Sequence, residues 1–203
     1  MKRIWYYTEL WLEELMEFSW LRSAKDYKIE GNSILMEAGK GTNLFNSPSE
    51  TFKCQEFPYY YLNIKGDFIF RCIVSVDFRA LYDLGGLIVY ENENKWIKFA
   101  YENSDVGCPA IVSVVTDKYS DDCNGAEISG NVWMQISRKK DVFALHYSKD
   151  KVNWILARIF YMNMKEEVKV GVSAQCPLGE SCTASFKEIE VLDNNYENVR
   201  KSE

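Results

Sequence analysis

Histidine is almost missing from this chain: one residue, His146, in 203. Proline is scarce at four and glycine at eleven. Six cysteines stand at 54, 72, 108, 123, 176 and 182, and no two form a CxxC pair. A tetrahedral zinc site needs closely spaced Cys and His ligands, so that chemistry is excluded. A chain of this length does not need disulfide staples, and the thiols are read as reduced, with Cys72 a small core residue. No segment approaches the roughly 20 apolar residues of a membrane span. Basic excess is also lacking, since 24 Lys+Arg against 30 Asp+Glu leave a formal charge of −6. That balance argues against nucleic acid as a partner. There is no glycine-rich phosphate loop, nucleophile elbow or HExxH helix, and no cofactor is expected. Glu9, Glu13 and Glu14 interrupt the first apolar stretch, so no secretory signal is read and a cytoplasmic location is the expectation.

Aromatic residues are plentiful: 13 Tyr, 11 Phe and 6 Trp, or 15% of the chain. With so little Gly and Pro, this weight of rings favours a β-rich protein. Trp11, Leu15 and Phe18 share a helical face, so a short helix over residues 8–18 is expected, with an irregular approach to a strand at Phe18–Leu21 as the alternative. After that the signal is β. Residues 28–38 turn at Gly31-Asn32. Residues 68–78 alternate throughout: Phe68, Phe70, Cys72, Val74, Val76 and Phe78 on one face, Arg71, Ser75 and Asp77 on the other. Further strands are expected at 86–90, 95–102, 110–117, 132–137, 142–148, 154–160, 168–175 and 183–192. About ten strands with frequent turns describe an all-β sandwich or barrel. One domain is expected over 1–203, with its core at about 18–192 and a polar tail, Asp193–Glu203, that frays.

Strand parity sorts the side chains. Ile97, Phe99, Val132, Met134, Ile136, Phe143, Leu145, Tyr147, Ile155, Ala157, Ile159, Val168, Val170 and Val172 point to the core. The opposite set holds Trp96, Lys98, Glu102, Trp133, Gln135, His146, Trp154, Arg158 and Gln175. Exposed indoles beside planar polar groups suit sugar recognition, since a ring stacks on a pyranose C–H face while polar groups bond its hydroxyls. The competing view makes this set a minor core with ion pairs.

These residues resemble a known family. Its centre is Trp96-x-Lys98-x-x-x-Glu102, then Ala110–Thr116 and Ser120-Asp121-Asp122. Ile136–Lys139, His146-Tyr147-Ser148-x-Asp150 and Trp154-x-x-x-Arg158 follow. Val170-Gly171-Val172-x-Ala174-Gln175-x-Pro177-x-Gly179 and Phe186 close it, and Phe18–Leu21 and Gly41-Thr42-Asn43 match in kind. Together they are similar to the bacterial and fungal domain-of-unknown-function family that includes the yeast regulator-of-enolase-like proteins. That family lies within the concanavalin A-like lectin/glucanase superfamily. An Asp is more usual where Asn43 stands, and a Gly where Lys151 stands. The resemblance implies a two-sheet antiparallel jelly-roll sandwich whose concave face holds ligands, usually glycans. It implies no reaction.

For catalysis, a glycosidase needs two carboxylates flanking the scissile bond. Glu102, paired with Asp117 or Asp121, is the candidate. Beside Lys98 or Arg158 its pKa is expected to fall, which suits holding a ligand better than acid catalysis. Glu188-Ile189-Glu190 is read as a solvated face. Asp121 and Asp122, with Ser120 and Asn124, are weak calcium-ligand candidates whose ordinary reading is an Asx-rich turn. His146 is either a general base or a hydrogen-bonded strand residue. The expected partner is a glycan or another small polar ligand. A cryptic glycosidase or lyase and a protein-binding regulator are the alternatives.

Overall fold

The computed structural model describes residues 17–203. The helix expected over 8–18 therefore lies almost wholly outside the described residues, and the first strand begins at Ser19. The described residues are all β. The strands are β1 (Ser19–Arg22), β2 (Asp26–Glu30), β3 (Ser33–Gly39), β4 (Asn43–Asn46), β5 (Lys53–Glu56), β6 (Tyr59–Lys65), β7 (Phe68–Asp77) and β8 (Leu84–Asn92). They continue with β9 (Lys95–Asn103), β10 (Pro109–Asp117), β11 (Tyr119–Glu127), β12 (Val132–Lys139), β13 (Val142–Ser148), β14 (Ile155–Tyr161), β15 (Glu167–Gln175) and β16 (Ser181–Leu192).

Two seven-stranded antiparallel sheets make the sandwich. The front sheet runs β1-β6-β15-β8-β9-β10-β11 and the back sheet β14-β13-β12-β7-β16-β3-β2. This is the jelly-roll architecture that the resemblance implied. The long alternating run becomes β7, and Phe68, Phe70, Cys72 and Val74 are buried between the sheets. Facing them from the front sheet are Leu87, Val89, Ile97, Phe99, Val170 and Val172. All six cysteines are free thiols. Gly171 sits where β15 meets β6; a Cβ there would lie 2.0 Å from the Tyr60 carbonyl oxygen, so only glycine lets the two strands close.

Two smaller pieces cover the outer faces. Strands β4 and β5 form a hairpin across the front sheet. It rests on a second apolar cluster of Leu44, Phe57, Tyr59, Leu84, Ile88 and Trp96. On the back sheet lies the C-terminal tail. It was expected to fray, yet it is held by side chains. Asn194 donates to the Arg138 carbonyl at 2.8 Å, the Tyr196 hydroxyl to Gln135 Oε1 at 3.3 Å, and Gln135 Nε2 to the Ser202 hydroxyl at 2.7 Å. Polar groups in a tail dock well when each finds a buried partner.

Strand β14 reverses its expected parity from Arg158 onward, while Leu156 and Ile155 still pair with His146 and Tyr147 in the expected parity. Leu145 pairs with Arg158 and Phe143 with Phe160, so Arg158 and Phe160 face inward, while Ile155 is 51% exposed. The run is apolar at almost every position, so alternation carries no signal, and a bulge between Leu145 and His146 resets the register. The Ser120-Asp121-Asp122 cluster with Asn124 was expected as an Asx-rich turn. It lies instead in the edge strand β11, paired along β10.

Candidate functional site

Parity separated core from outer side chains correctly on β9, β12 and β13 and through the Val168–Val172 run, but a sandwich has two outer faces. The expected site residues divide between them. Trp96, Lys98, Glu102 and Gln175 lie on the front sheet; Trp133, Gln135, His146 and Trp154 belong to the back sheet or its flank. Arg158 is at the seam, donating to Asp121 Oδ2 on β11 at 2.8 Å and so clipping the two sheet edges together. The single trough expected from alternation is therefore not formed.

The back-sheet residues are engaged with their own protein. His146 is fully buried, its Nε2–H donating to the Arg200 carbonyl at 3.1 Å in the tail. Its Nδ1 has no partner among the described residues, and burial holds its pKa below the usual value. The Lys151 ammonium covers the Trp133 ring at 4.3 Å. The Arg71 guanidinium lies 5.9 Å from the Trp154 ring centre while also pairing with Glu190 at 2.7 Å.

On the front sheet the hairpin claims most of the set. Gln175 Oε1 accepts from the Leu44 amide at 3.0 Å, and the Lys98 ammonium donates to the Leu44 carbonyl at 3.0 Å. The Asn46 amide donates to the Ser120 hydroxyl at 3.0 Å. Trp96 is sealed beneath, with its indole N–H unpartnered among the described residues. These bonds tie β4 to β15, β9 and β11, so the hairpin crosses most of the sheet.

What the hairpin leaves open is a cavity of about 480 Å³ at one end of the face. That lies within the ordinary range for small-ligand sites. Glu102, Lys98 and Val114 form its floor and Asp122 one wall. Phe45 and Cys54 come from the hairpin, and Phe52 from its tip. Phe52 is 50% exposed and Leu178, opposite, 61%. Ser47 and the Ser49 and Thr51 hydroxyls bond one another and set the tip.

The remaining wall is a polar relay. The Tyr82 hydroxyl donates to Asp105 Oδ2 at 3.5 Å, Asn124 Nδ2 to Asp105 Oδ1 at 3.0 Å, and the Ser104 hydroxyl to Asn124 Oδ1 at 2.7 Å. Tyr82 is held at φ 65°, a left-handed conformation that costs a non-glycine residue on the order of 1 kcal/mol. Its amide bonds the Asn103 carbonyl at 2.8 Å. One carboxylate oxygen of Asp83 accepts from the Arg79 and Ala80 amides at 2.9 and 2.8 Å. These bonds hold the strained turn in place.

Glu102 is 7% exposed and Lys98 3%. Burial pushes the Glu102 carboxyl up to about 7, opposed by Lys98 and assisted by Asp122 and Asp105. Burial likewise lowers Lys98, against the pull of Glu102 and Asp122. The expected fall in the Glu102 pKa is thus reversed, because loss of water outweighs attraction to a lysine whose ammonium is held by Leu44. No hydrogen bond reaches the Glu102 carboxylate among the described residues, and its oxygens face the cavity. Asp122 is exposed, and partial loss of water where it lines the cavity raises its carboxyl as well.

The catalytic pairings expected for Glu102 do not form. Asp117 is paired with Lys95 at 3.7 Å, at the opposite end of β10, and Asp121 faces Arg158. Asp121 and Asp122, successive on a strand, point to opposite faces, so they cannot share one ion. Among the described residues no group of three acidic, His or Cys side chains is spaced to hold a metal. Of the expected residues, Lys98, Glu102 and Asp122 meet in the cavity. Asn124, weighed only as a calcium ligand, lines it too, and Phe45, Phe52, Tyr82 and Asp105 were not foreseen as site residues.

The chain is 25% identical over 178 residues to "Regulation of enolase protein 1" of Saccharomyces cerevisiae, covering 86% of this chain and 89% of that protein. A crystal structure of a functionally unknown protein from Saccharomyces cerevisiae superposes with a TM-score of 0.84 at 22% identity, over 88% of this chain and 97% of the other. A legume lectin-like domain from Entamoeba histolytica superposes with a TM-score of 0.59 at 10% identity, over 88% and 91%. These last two likenesses concern the fold. Residues 20–193 match the model of DUF1349, described as a protein of unknown function, and the chain belongs to that family.

Proposed function

We propose that the protein binds carbohydrate in the cavity beside Glu102. The single observation that carries this reading is Glu102, 7% exposed, whose carboxylate has no hydrogen-bond partner among the described residues and which lines a cavity with an aromatic mouth. Phe52 and Phe45 offer faces for sugar C–H groups. Tyr82, Asn124 and Asn43 offer donors and acceptors for hydroxyls. The lectin-like likeness supports the fold's suitability and no more. A cytoplasmic location is part of the proposal, and six free thiols support it. No helix among the described residues is long and apolar enough to cross a membrane.

A glycan array followed by calorimetric titration tests the reading. Phe52→Ala, at an exposed tip, weakens binding about fivefold or more. Trp154→Ala, on the far side of the molecule, leaves it unchanged. Undiminished binding in Phe52→Ala, or loss in Trp154→Ala, moves the site elsewhere. A silent array beside one stoichiometric captured protein favours the regulatory reading, to which the yeast relative's name points.

A second reading has its own support. A carboxyl at about 7 beside Asp122 suits a general acid, so hydrolysis or elimination on a bound sugar is the catalytic alternative. Turnover of chromogenic glycosides or uronate polymers that disappears in Glu102→Gln would establish it.

A further inference from the structure

The cavity has an unbalanced charge. Glu102, Asp105 and Asp122 line it against one ammonium, Lys98, and that ammonium is directed to the Leu44 carbonyl. A uronate entering here meets three carboxylates and, among the described residues, no free cation. The Tyr82 hydroxyl and Asn124 amide are already turned toward Asp105, and among the described residues none donates to Glu102. A cationic donor is the strongest partner that a carboxylate lining a cavity can take. The carboxylates are too dispersed to close on one metal ion. A cation borne on a larger polar body fits them, and the aromatic mouth specifies a pyranose ring.

Resting on the carbohydrate reading, we infer that the ligand is an amino sugar, a pyranose with a protonated primary amine, whose ammonium reaches Glu102 and Asp122. An N-acylated counterpart has the same ring without the charge, and a uronate has the opposite charge.

A proton-linkage signature follows. The groups facing Glu102 are Lys98 on its own strand, Asp122 on β11, Asp105 in the loop after β9 and Tyr82 in the turn before β8. At neutral pH Glu102 holds its proton about half the time. An ammonium docking against it displaces that proton, while any sugar amine that is still neutral takes one up; binding therefore releases protons below pH 7, where the amine is already charged, and the release shrinks as pH rises.

The test is calorimetry on the full chain with a glucosamine disaccharide, its N-acetylated form and a diuronate, in two buffers of different ionisation heat. The expected result is at least about a tenfold preference for the free amine over the N-acetyl sugar, with proton release and no diuronate binding. Glu102→Gln abolishes the preference and the proton release. Asp122→Asn, at an exposed position, reduces the preference and covers the case in which Glu102→Gln misfolds. Glu30→Gln, on the back sheet at the far turn of the β2–β3 hairpin, changes neither and so controls for attraction of cations to an acidic protein. Equal binding of amine and N-acetyl sugars, or binding of the diuronate, overturns the amino-sugar inference while leaving the carbohydrate reading intact. Silence from every sugar overturns both.

Discussion

The two outer faces of this sandwich began with similar resources. Each carries indoles, amides and titratable groups on alternate strand positions, and each is overlaid by a short piece of the same chain. They end in different states. On the back sheet the C-terminal tail bonds Gln135 and one nitrogen of His146 with its own hydroxyls and carbonyls. On the front sheet the hairpin engages Lys98 and Gln175 and stops short of Glu102. The difference teaches that residue type does not mark a site. A group marks a candidate site when the fold has left it without a hydrogen-bond partner and opened a cavity beside it; the Trp96 and His146 nitrogens, unpartnered among the described residues, line no such cavity.

The largest test breaks the front cover. Leu44 is fully buried beneath the hairpin, and Leu44→Ala should lower stability by about 2–5 kcal/mol in urea unfolding. A loss below about 1 kcal/mol would mean that the hairpin contributes little packing. The next sharpens the contrast through pH. The folded Glu102 carboxyl keeps its proton up to about 7, whereas the ordinary value is 4.5, so the folded state holds more protons between those values. Stability therefore falls as pH rises through that window and stays lower above it. Glu102→Gln should accordingly stabilise the protein by roughly 3 kcal/mol at pH 8 and by little at pH 4. A gain that does not change with pH would contradict this account.

The smallest effect belongs to the back face and has the opposite sign. Burial lowers the pKa of His146, so the unfolded state holds more protons below the ordinary value of 6.5, and stability is lost as pH falls beneath it. His146→Gln should cost about 1 kcal/mol at pH 8, from a weakened bond to Arg200, and remove part of the acid sensitivity. Identical acid profiles would show that His146 does not sense protons.

Alternation made much of the fold legible. Strand β7 and the core positions of β9, β12 and β13 follow from it, because one face of each is apolar and the other is not. It failed where both faces are covered or both are open. Strand β6 opens with three tyrosines, and β11 is exposed at seven consecutive positions, Asp121–Glu127. Both depend on ladder bonds to neighbours rather than on their own pattern. Period two also reports in against out and never which sheet, so Trp133 and Trp96 looked like neighbours. Lys98 and Glu102 were found because they share a strand. Phe52, Tyr82 and Asp105 stand in connecting segments whose positions no periodicity encodes.

The strap that spans from Gln175 to Ser120 has one more consequence. It turns an open channel into a blind alley. On the proposed reading, a polysaccharide running on in both directions would find its way barred, whereas a chain terminus or short branch would enter beside Phe52 and halt at Lys98. A preference for ends over middles would then be set by the backbone, before any side chain has chosen a sugar.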